Sequence, residues 1–243
     1  MPELPAAFAR RWTDGTGHEL AVETVAIDDL LAAVAARMAG PVLHVGARAQ
    51  VIDGPAGRWQ RLLAGRSVIG LDVEPGPGVD AVADIAGDLA SLRRKIGAKT
   101  VGAVVCCHVL EHVARPWDAA RNLQHLLQPG GIIVITVPWV QGWHGFPTDH
   151  WRMSFSALRL LFERVAVETE WYSGAREDVG YRLRRDGVPA HGPETLQHER
   201  NLLQLMLPDA PAQRAFDDRE GDKLPLSRLY MPACAVNMVG VRR

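Results

Sequence analysis

Cysteine is scarce in this chain. There are three in 243 residues, Cys106, Cys107 and Cys234, and none forms a CxxC pair. No disulfide framework is expected, and a reducing cytoplasm is the simplest home. Lysine is scarcer still for a chain of this size: three of the 27 basic residues, Lys95, Lys99 and Lys223. We read that bias as one of coding composition. A charge excess of either sign is also missing, since 27 basic residues face 28 acidic ones, a net charge of -1. A chain without a basic surplus is not expected to bind nucleic acid or an anionic membrane by electrostatics. Nor is there an apolar run near the ~18 residues that a membrane span needs. The longest candidates, Val101–Leu110 and Gly130–Val140, have the length of buried strands. The opening segment MPELPAAFARRW has no apolar stretch, so no signal peptide is expected.

What is present is a regular alternation of short apolar runs and amphipathic stretches, the pattern of an α/β protein with a mostly parallel sheet. With 47% hydrophobic residues the chain can bury a sizeable core in one domain. The 3.6-residue period predicts a helix over 27–39, ended by Gly40 and Pro41. Strands are expected at 42–45, 68–73, 81–85, 101–107, 132–137, 165–172 and 233–241. Further helices are expected at 88–97, 116–127 and 155–163, the last capped by Ser154. Residues 1–40 read as a helical N-terminal extension. Residues 175–229, rich in Arg, Asp, Pro and Gly, break the rhythm and read as a lid or a dimer-forming insert with one helix near 194–207.

In open α/β sheets, ligands bind beyond the carboxyl ends of the strands. Gly46 follows the first core strand and permits a tight turn. Asp72 ends the second, 26 positions later, where a carboxylate can accept hydrogen bonds from the hydroxyls of an adenosine ribose. Nicotinamide dinucleotides and S-adenosylmethionine both carry that ribose, so Asp72 does not choose between them.

The order VLHVGAR, VIGLDVEPGPGVD, VADI, HVLEHV and LLQPGGIIVITVP resembles the class I S-adenosylmethionine-dependent methyltransferases. The resemblance covers roughly 40–172 and 230–243. It implies a Rossmann-like seven-stranded sheet, mostly parallel with an antiparallel last strand and helices on both faces. A narrower likeness lies in His144–Ser154, which resembles the H-x-x-P-x-D-Y-W-R-F-T stretch of a subset associated with glycans, cell-envelope sugars and secondary metabolites. His150, Met153 and Ser154 stand where that subset has Tyr, Phe and Thr. The family's first loop carries an acid and three glycines. Here His44 stands for the acid, and Arg48 and Gln50 occupy later glycine positions.

The resemblance implies S-adenosyl-L-methionine as cofactor, with S-adenosyl-L-homocysteine as product. The loop Gly46, Ala47 and Arg48 would wrap its methionine end, with Arg48 able to pair with the carboxylate. Asp72 and Val73 would hold the ribose, Asp84 the adenine amino group and Ile85 the ring face. Cys107 and His108 would border the reactive end. Past the fifth core strand, His144, Asp149 and His150 lie where the methyl acceptor must come. A neutral imidazole can take a hydroxyl proton while a carboxylate orients it. The same groups can instead shape the loop with Arg152, or bind a divalent metal. The base reading is preferred, with His144 oriented by Asp149 and no metal required. His112, Trp139, Trp143, Arg152 and Tyr172 are the expected acceptor-side residues. The expected activity is O-methylation of a small-molecule hydroxyl, on a sugar or secondary metabolite. A non-catalytic S-adenosylmethionine-binding module, N- or C-methylation, and a dinucleotide-dependent oxidoreductase are the alternatives.

Overall fold

A computed structural model describes residues 12–13, 19–48, 55–145, 148–174, 179–185, 188–189 and 234–243. Along the chain run β1 (Trp12–Thr13), β2 (Glu19–Ala26), α1 (Ile27–Arg37), β3 (Val42–Val45), α2 (Pro55–Leu62), β4 (Val68–Asp72) and β5 (Ala81–Val82). Then follow α3 (Leu89–Ile96), β6 (Val101–Cys107), a single 3-10 turn (Leu110–His112), α4 (Pro116–Leu126) and β7 (Leu127–Val140). The described chain closes with α5 (Phe155–Leu161), β8 (Val165–Ser173), β9 (Val179–Arg185), β10 (Val188–Pro189) and β11 (Cys234–Arg242).

Local chemistry explains where the helices begin and end. Pro116 opens α4, where a missing N–H costs nothing. Asp88 and Ser154 cap α3 and α5 by accepting from Ser91 N and Ala157 N at 2.8 and 3.3 Å. Gly97 ends α3 in the left-handed region at φ 68°.

The strands form one sheet in the order β1-β2-β9-β8-β11-β7-β6-β3-β4-β5, with β10 on β9. The expected seven-stranded unit is the run from β8 to β5. Its β3, β4, β5, β6 and β7 pair in parallel, and β11 inserts antiparallel between β7 and β8. Beyond β8 the sheet continues antiparallel through β9 and β2. The 1–40 segment is therefore not helical throughout: Glu19–Ala26 is a strand pairing with β9, and α1 follows it. Within the expected insert, β9 and β10 are strand, while the helix expected near 194–207 lies outside the described residues.

Two cores sandwich the sheet. On one face, Leu92, Leu123, Leu126, Leu158 and Phe162 from the α3, α4 and α5 side pack on Leu43, Leu71, Val104 and Ile133. On the other, Leu31, Val34, Trp59 and Leu63 cover Val42, Ala103, Val105 and Val134. No described helix is long and apolar enough to cross a membrane.

His44 lies in the middle of this sheet, 3% exposed. Burial lowers its pKa to about 4, and the charge of Asp72 offsets only part of that. The folded state thus keeps His44 neutral where the unfolded chain takes up a proton. Stability should be intact above about pH 6.5 and fall as the pH drops toward 4, by about 3 kcal/mol from this group. Urea unfolding at pH 7 and pH 4.5 checks this. His44→Leu should show a shallower loss, and an equal loss would remove His44 as the cause.

Candidate active site

Two clefts and one buried cluster meet where the carboxyl ends of β3, β4, β6 and β7 converge. The first cleft, of about 400 Å³, is lined by Gly46, Arg48, Asp72, Val73, Asp84, Ile85, His108 and His112 among others. Gly46 sits at φ +74°, and a Cβ there would stand 2.5 Å from Val109 Cγ2. Only glycine satisfies both the turn and the close approach. Asp72 is anchored by its neighbours: Oδ2 accepts from Arg48 N at 3.2 Å and Oδ1 from Glu74 N at 3.1 Å. Each oxygen keeps a lone pair for a further donor, so the carboxylate can take two hydroxyls. Asp84 Oδ1 accepts from Ala86 N at 2.8 Å, which fixes the side chain in the cleft wall beside Ile85. These residues fit an adenosine: a flat apolar wall, an acid for the ring amine, and a doubly anchored acid for the ribose.

Arg48 stays in the cleft wall, while Ala47 and Cys107 take other places. The guanidinium of Arg48 lines the cleft but is ion-paired with Glu74. Ala47 is buried, its N–H tied to Leu71 O at 3.2 Å, and it does not line the cleft. Cys107 lines the second cleft instead. Burial pushes its thiol up to about 11, against hydrogen bonds with Thr136 and Trp59 that pull it down, so it is a neutral wall group.

The second cleft, of about 210 Å³, opens on the α1 and α2 face between Trp59, Cys107, Thr136, Trp171, Ser173 and Asn237. Its floor is a fixed polar network. Thr136 Oγ1 donates to Asn237 Oδ1 at 2.8 Å, and Asn237 Nδ2 donates to Ser173 Oγ and Trp171 O at 2.9 and 3.2 Å. His108 lines both clefts. It is also the one described non-glycine residue with positive φ, at 55°. That conformation is costly for histidine and is held by its N–H to Thr136 O at 2.8 Å.

Below the first cleft lies Glu111, 0% exposed, with neither carboxylate oxygen in a hydrogen bond. Around its Oε1 stand His108 Nδ1 at 3.4 Å, His112 Nε2 at 3.9 Å and His144 Nε2 at 3.9 Å. The loop past β7 is fastened over it, with His150 N and Trp151 N donating to Glu111 O at 2.7 and 3.2 Å. Asp149 is buried in that loop. Its carboxylate takes Arg152 Nη1 and Nη2 at 2.5 and 2.6 Å, and His144 N at 3.0 Å. The Arg152 guanidinium holds the Asp149 carboxyl well below the usual carboxylate range. His144 Nδ1 is 3.2 Å from Asp149 Oδ2, so the expected pairing of these two residues is formed.

Other expectations on this side are corrected. His144 lines neither of the two clefts, and His150 points out to solvent, contributing only its backbone. Arg152 spends its donors on Asp149, Gln141 O, Gly142 O and Trp151 O, so it latches the loop and does not reach for an acceptor. Tyr172 is buried in the opposite core against Phe155 and Trp139. Trp139 goes with it, and Trp143 is 71% exposed, away from both clefts. Residues the sequence did not single out are Glu111, Glu74, Thr136 and Asn237. For Glu111 a signal exists in HVLEHV, where three titratable groups stand within five positions just after a strand.

Residues 54–135 match the family described as a methyltransferase domain. The fold is that of a class I methyltransferase. The matched segment runs from α2 into β7 and contains Asp72, Asp84, His108, Glu111 and His112. Among solved structures, the chain is similar to a SAM-dependent methyltransferase from Archaeoglobus fulgidus, at 16% identity and TM-score 0.49, covering 88% of this chain and 94% of that one. It is also similar to the YcgJ protein from Bacillus subtilis, at 14% identity and TM-score 0.47, covering 89% and 97%. A third is the N-methyltransferase NodS from Bradyrhizobium japonicum in complex with S-adenosyl-L-homocysteine, at 16% identity and TM-score 0.43, covering 64% and 82%. No curated protein matches the chain by sequence.

Proposed function

We propose that this chain is an S-adenosylmethionine-dependent methyltransferase that methylates a hydroxyl of a small molecule. The observation that carries the reading is the position of His108 in the walls of both clefts. One cleft has the acids and apolar wall for an adenosine; the other has polar groups on its floor and aromatic rings beside them. A group bound in each would meet at His108.

When bound, S-adenosylmethionine supplies a methyl group on a sulfonium, and the carbon–sulfur bond breaks with its electron pair going to sulfur as the acceptor oxygen bonds the carbon. The chain's residues do the rest. Asp72, Asp84 and Ile85 hold and orient the adenosine. Thr136, Asn237 and Ser173 form a fixed polar floor that can align a hydroxyl, which is most of what an in-line displacement needs from a protein. His108, facing both clefts, accepts the hydroxyl proton, and this role moves to it from His144 because His144 lines neither cleft. The walls of Trp59 and Trp171 suit a sugar face or a flat ring system.

Methyl-labelled S-adenosylmethionine, offered with a panel of sugars and phenolic natural products, tests the reading. Label should appear as a methyl ether, with one S-adenosylhomocysteine released per label. Label on nitrogen or carbon would overturn the hydroxyl assignment. Cofactor bound without transfer to any acceptor would make the chain a non-catalytic binding module.

A further inference from the structure

We propose that Glu111, His112 and His144 bind a divalent first-row transition-metal ion beside the cofactor cleft. One ligand atom from each lies within 4.8 Å of the others. The proton inventory of this cluster is what calls for a cation. His112 Nδ1 faces Thr148 O at 2.8 Å, and a carbonyl only accepts, so that nitrogen carries the hydrogen. His144 Nδ1 faces Asp149 Oδ2 at 3.2 Å and Gly142 O at 3.4 Å, again acceptors alone. In the neutral rings both Nε2 atoms are then bare lone pairs, and both point at the Glu111 carboxylate.

Two lone pairs and a fully buried carboxylate without a hydrogen bond thus converge, and the nearest nitrogen that could donate, His108 Nδ1, stands at 3.4 Å and reaches Oε1 alone. Leaving buried polar atoms unpaired is costly. A second proton on one ring would give an ion pair to Glu111 at 3.9 Å but not a hydrogen bond, and would leave the other lone pair unmet. A cation at the centre satisfies all three groups together. Donors around a metal with bonds of ~2.0–2.2 Å sit about 3–3.5 Å apart, so separations of up to 4.8 Å need to close by up to about 1.5 Å, within reach of side-chain rotation.

The outer contacts have the form that supports a metal site. Asp149 behind His144, and the Thr148 carbonyl behind His112, fix each ring's tautomer and aim. Asp149 is itself fixed by Arg152. Two imidazoles and one carboxylate favour a transition metal over magnesium or calcium, which take oxygen ligands. His112 also lines the first cleft, which gives an ion a way in. Three protein donors leave coordination positions open. On the methyl-transfer reading, and only on it, an acceptor oxygen could occupy one and lose its proton more readily. Ion binding itself does not rest on that reading.

The test titrates chelator-stripped protein with Co²⁺, followed by visible d–d absorption and by calorimetry. One equivalent should bind, with the spectrum of a nitrogen- and oxygen-ligated ion. Glu111→Gln and His144→Ala should each abolish stoichiometric binding, while circular dichroism confirms that they fold. Asp149→Asn should weaken binding ~10–100-fold. His125→Ala, outside the cluster, should leave it unchanged. Absence of stoichiometric binding by the wild type, or equal affinity in folded cluster variants, overturns the proposal. A parallel titration with S-adenosylhomocysteine separates the two readings. If it binds and Co²⁺ does not, the metal site alone falls; if Co²⁺ binds and it does not, the cofactor assignment alone falls.

Discussion

Replacing His108 by asparagine should lower turnover by about 10²–10⁴ while leaving affinity for S-adenosylhomocysteine within a few-fold. The choice of asparagine matters. The backbone at 108 sits at φ 55°, where alanine is strained and asparagine is tolerated. The variant therefore removes the imidazole without unsettling the turn that joins the two clefts. An amide cannot take the acceptor proton, so the loss should fall on kcat, with KM for the acceptor changed far less. Stopped-time assays of labelled methyl transfer under saturating cofactor provide the measurement. Turnover close to wild type would place the proton acceptor elsewhere in the cluster. A collapse of cofactor affinity would instead make His108 a binding residue.

Arg152→Ala should destabilise the fold by about 3 kcal/mol. The Asp149 side chain is 1% exposed and depends on the Arg152 guanidinium for two of its contacts. Removing one partner of a buried pair typically costs ~3–5 kcal/mol, and the His144 contacts that Asp149 keeps, with the partial exposure of Arg152, put this case at the low end. The same change frees Gln141 O and Gly142 O, so the loop over Glu111 should loosen. For a chain of this size the midpoint of thermal unfolding should fall by roughly 6–12 °C. The pH trend checks the cause. A carboxyl held low in the folded state contributes stability above the ordinary carboxylate range and loses it as the pH falls below that range. The wild type should therefore approach the variant in acid. A midpoint unchanged at pH 7 would show that the latch carries no stability.

The parallel centre of the sheet was legible because burial on both faces leaves a plain mark. Val101–Cys107 is apolar at every position and lies between two parallel neighbours. The outer strands were not. β9 carries Arg182, Arg184 and Arg185, and an edge-side strand of that composition reads as a polar loop. β7 extends past both ends of its apolar run, which the sequence hid because Pro129 and Gly130 look like a turn, yet Leu127 still pairs with Val101. Parity misled the choice of aromatic residues. Trp171 and Tyr172 are neighbours on β8, so they face opposite sides of the sheet, and it is Trp171 that lines a cleft. Asp72 could be read because an acid ending a strand has a local meaning. For Glu111 the HVLEHV stretch marks a titratable cluster but not its burial, since a loop some 40 residues further on folds over it.

Equilibrium calorimetry tests whether the cleft at Gly46, Asp72 and Asp84 holds S-adenosylmethionine. S-adenosylhomocysteine and NAD are each titrated into the wild type and into Asp72→Ala. S-adenosylhomocysteine should bind the wild type at one equivalent. Loss of the two ribose hydrogen bonds in the variant should weaken it by about 2–4 kcal/mol, and NAD should not bind. Binding of NAD in place of S-adenosylhomocysteine, or equal S-adenosylhomocysteine affinity in the two proteins, would contradict it.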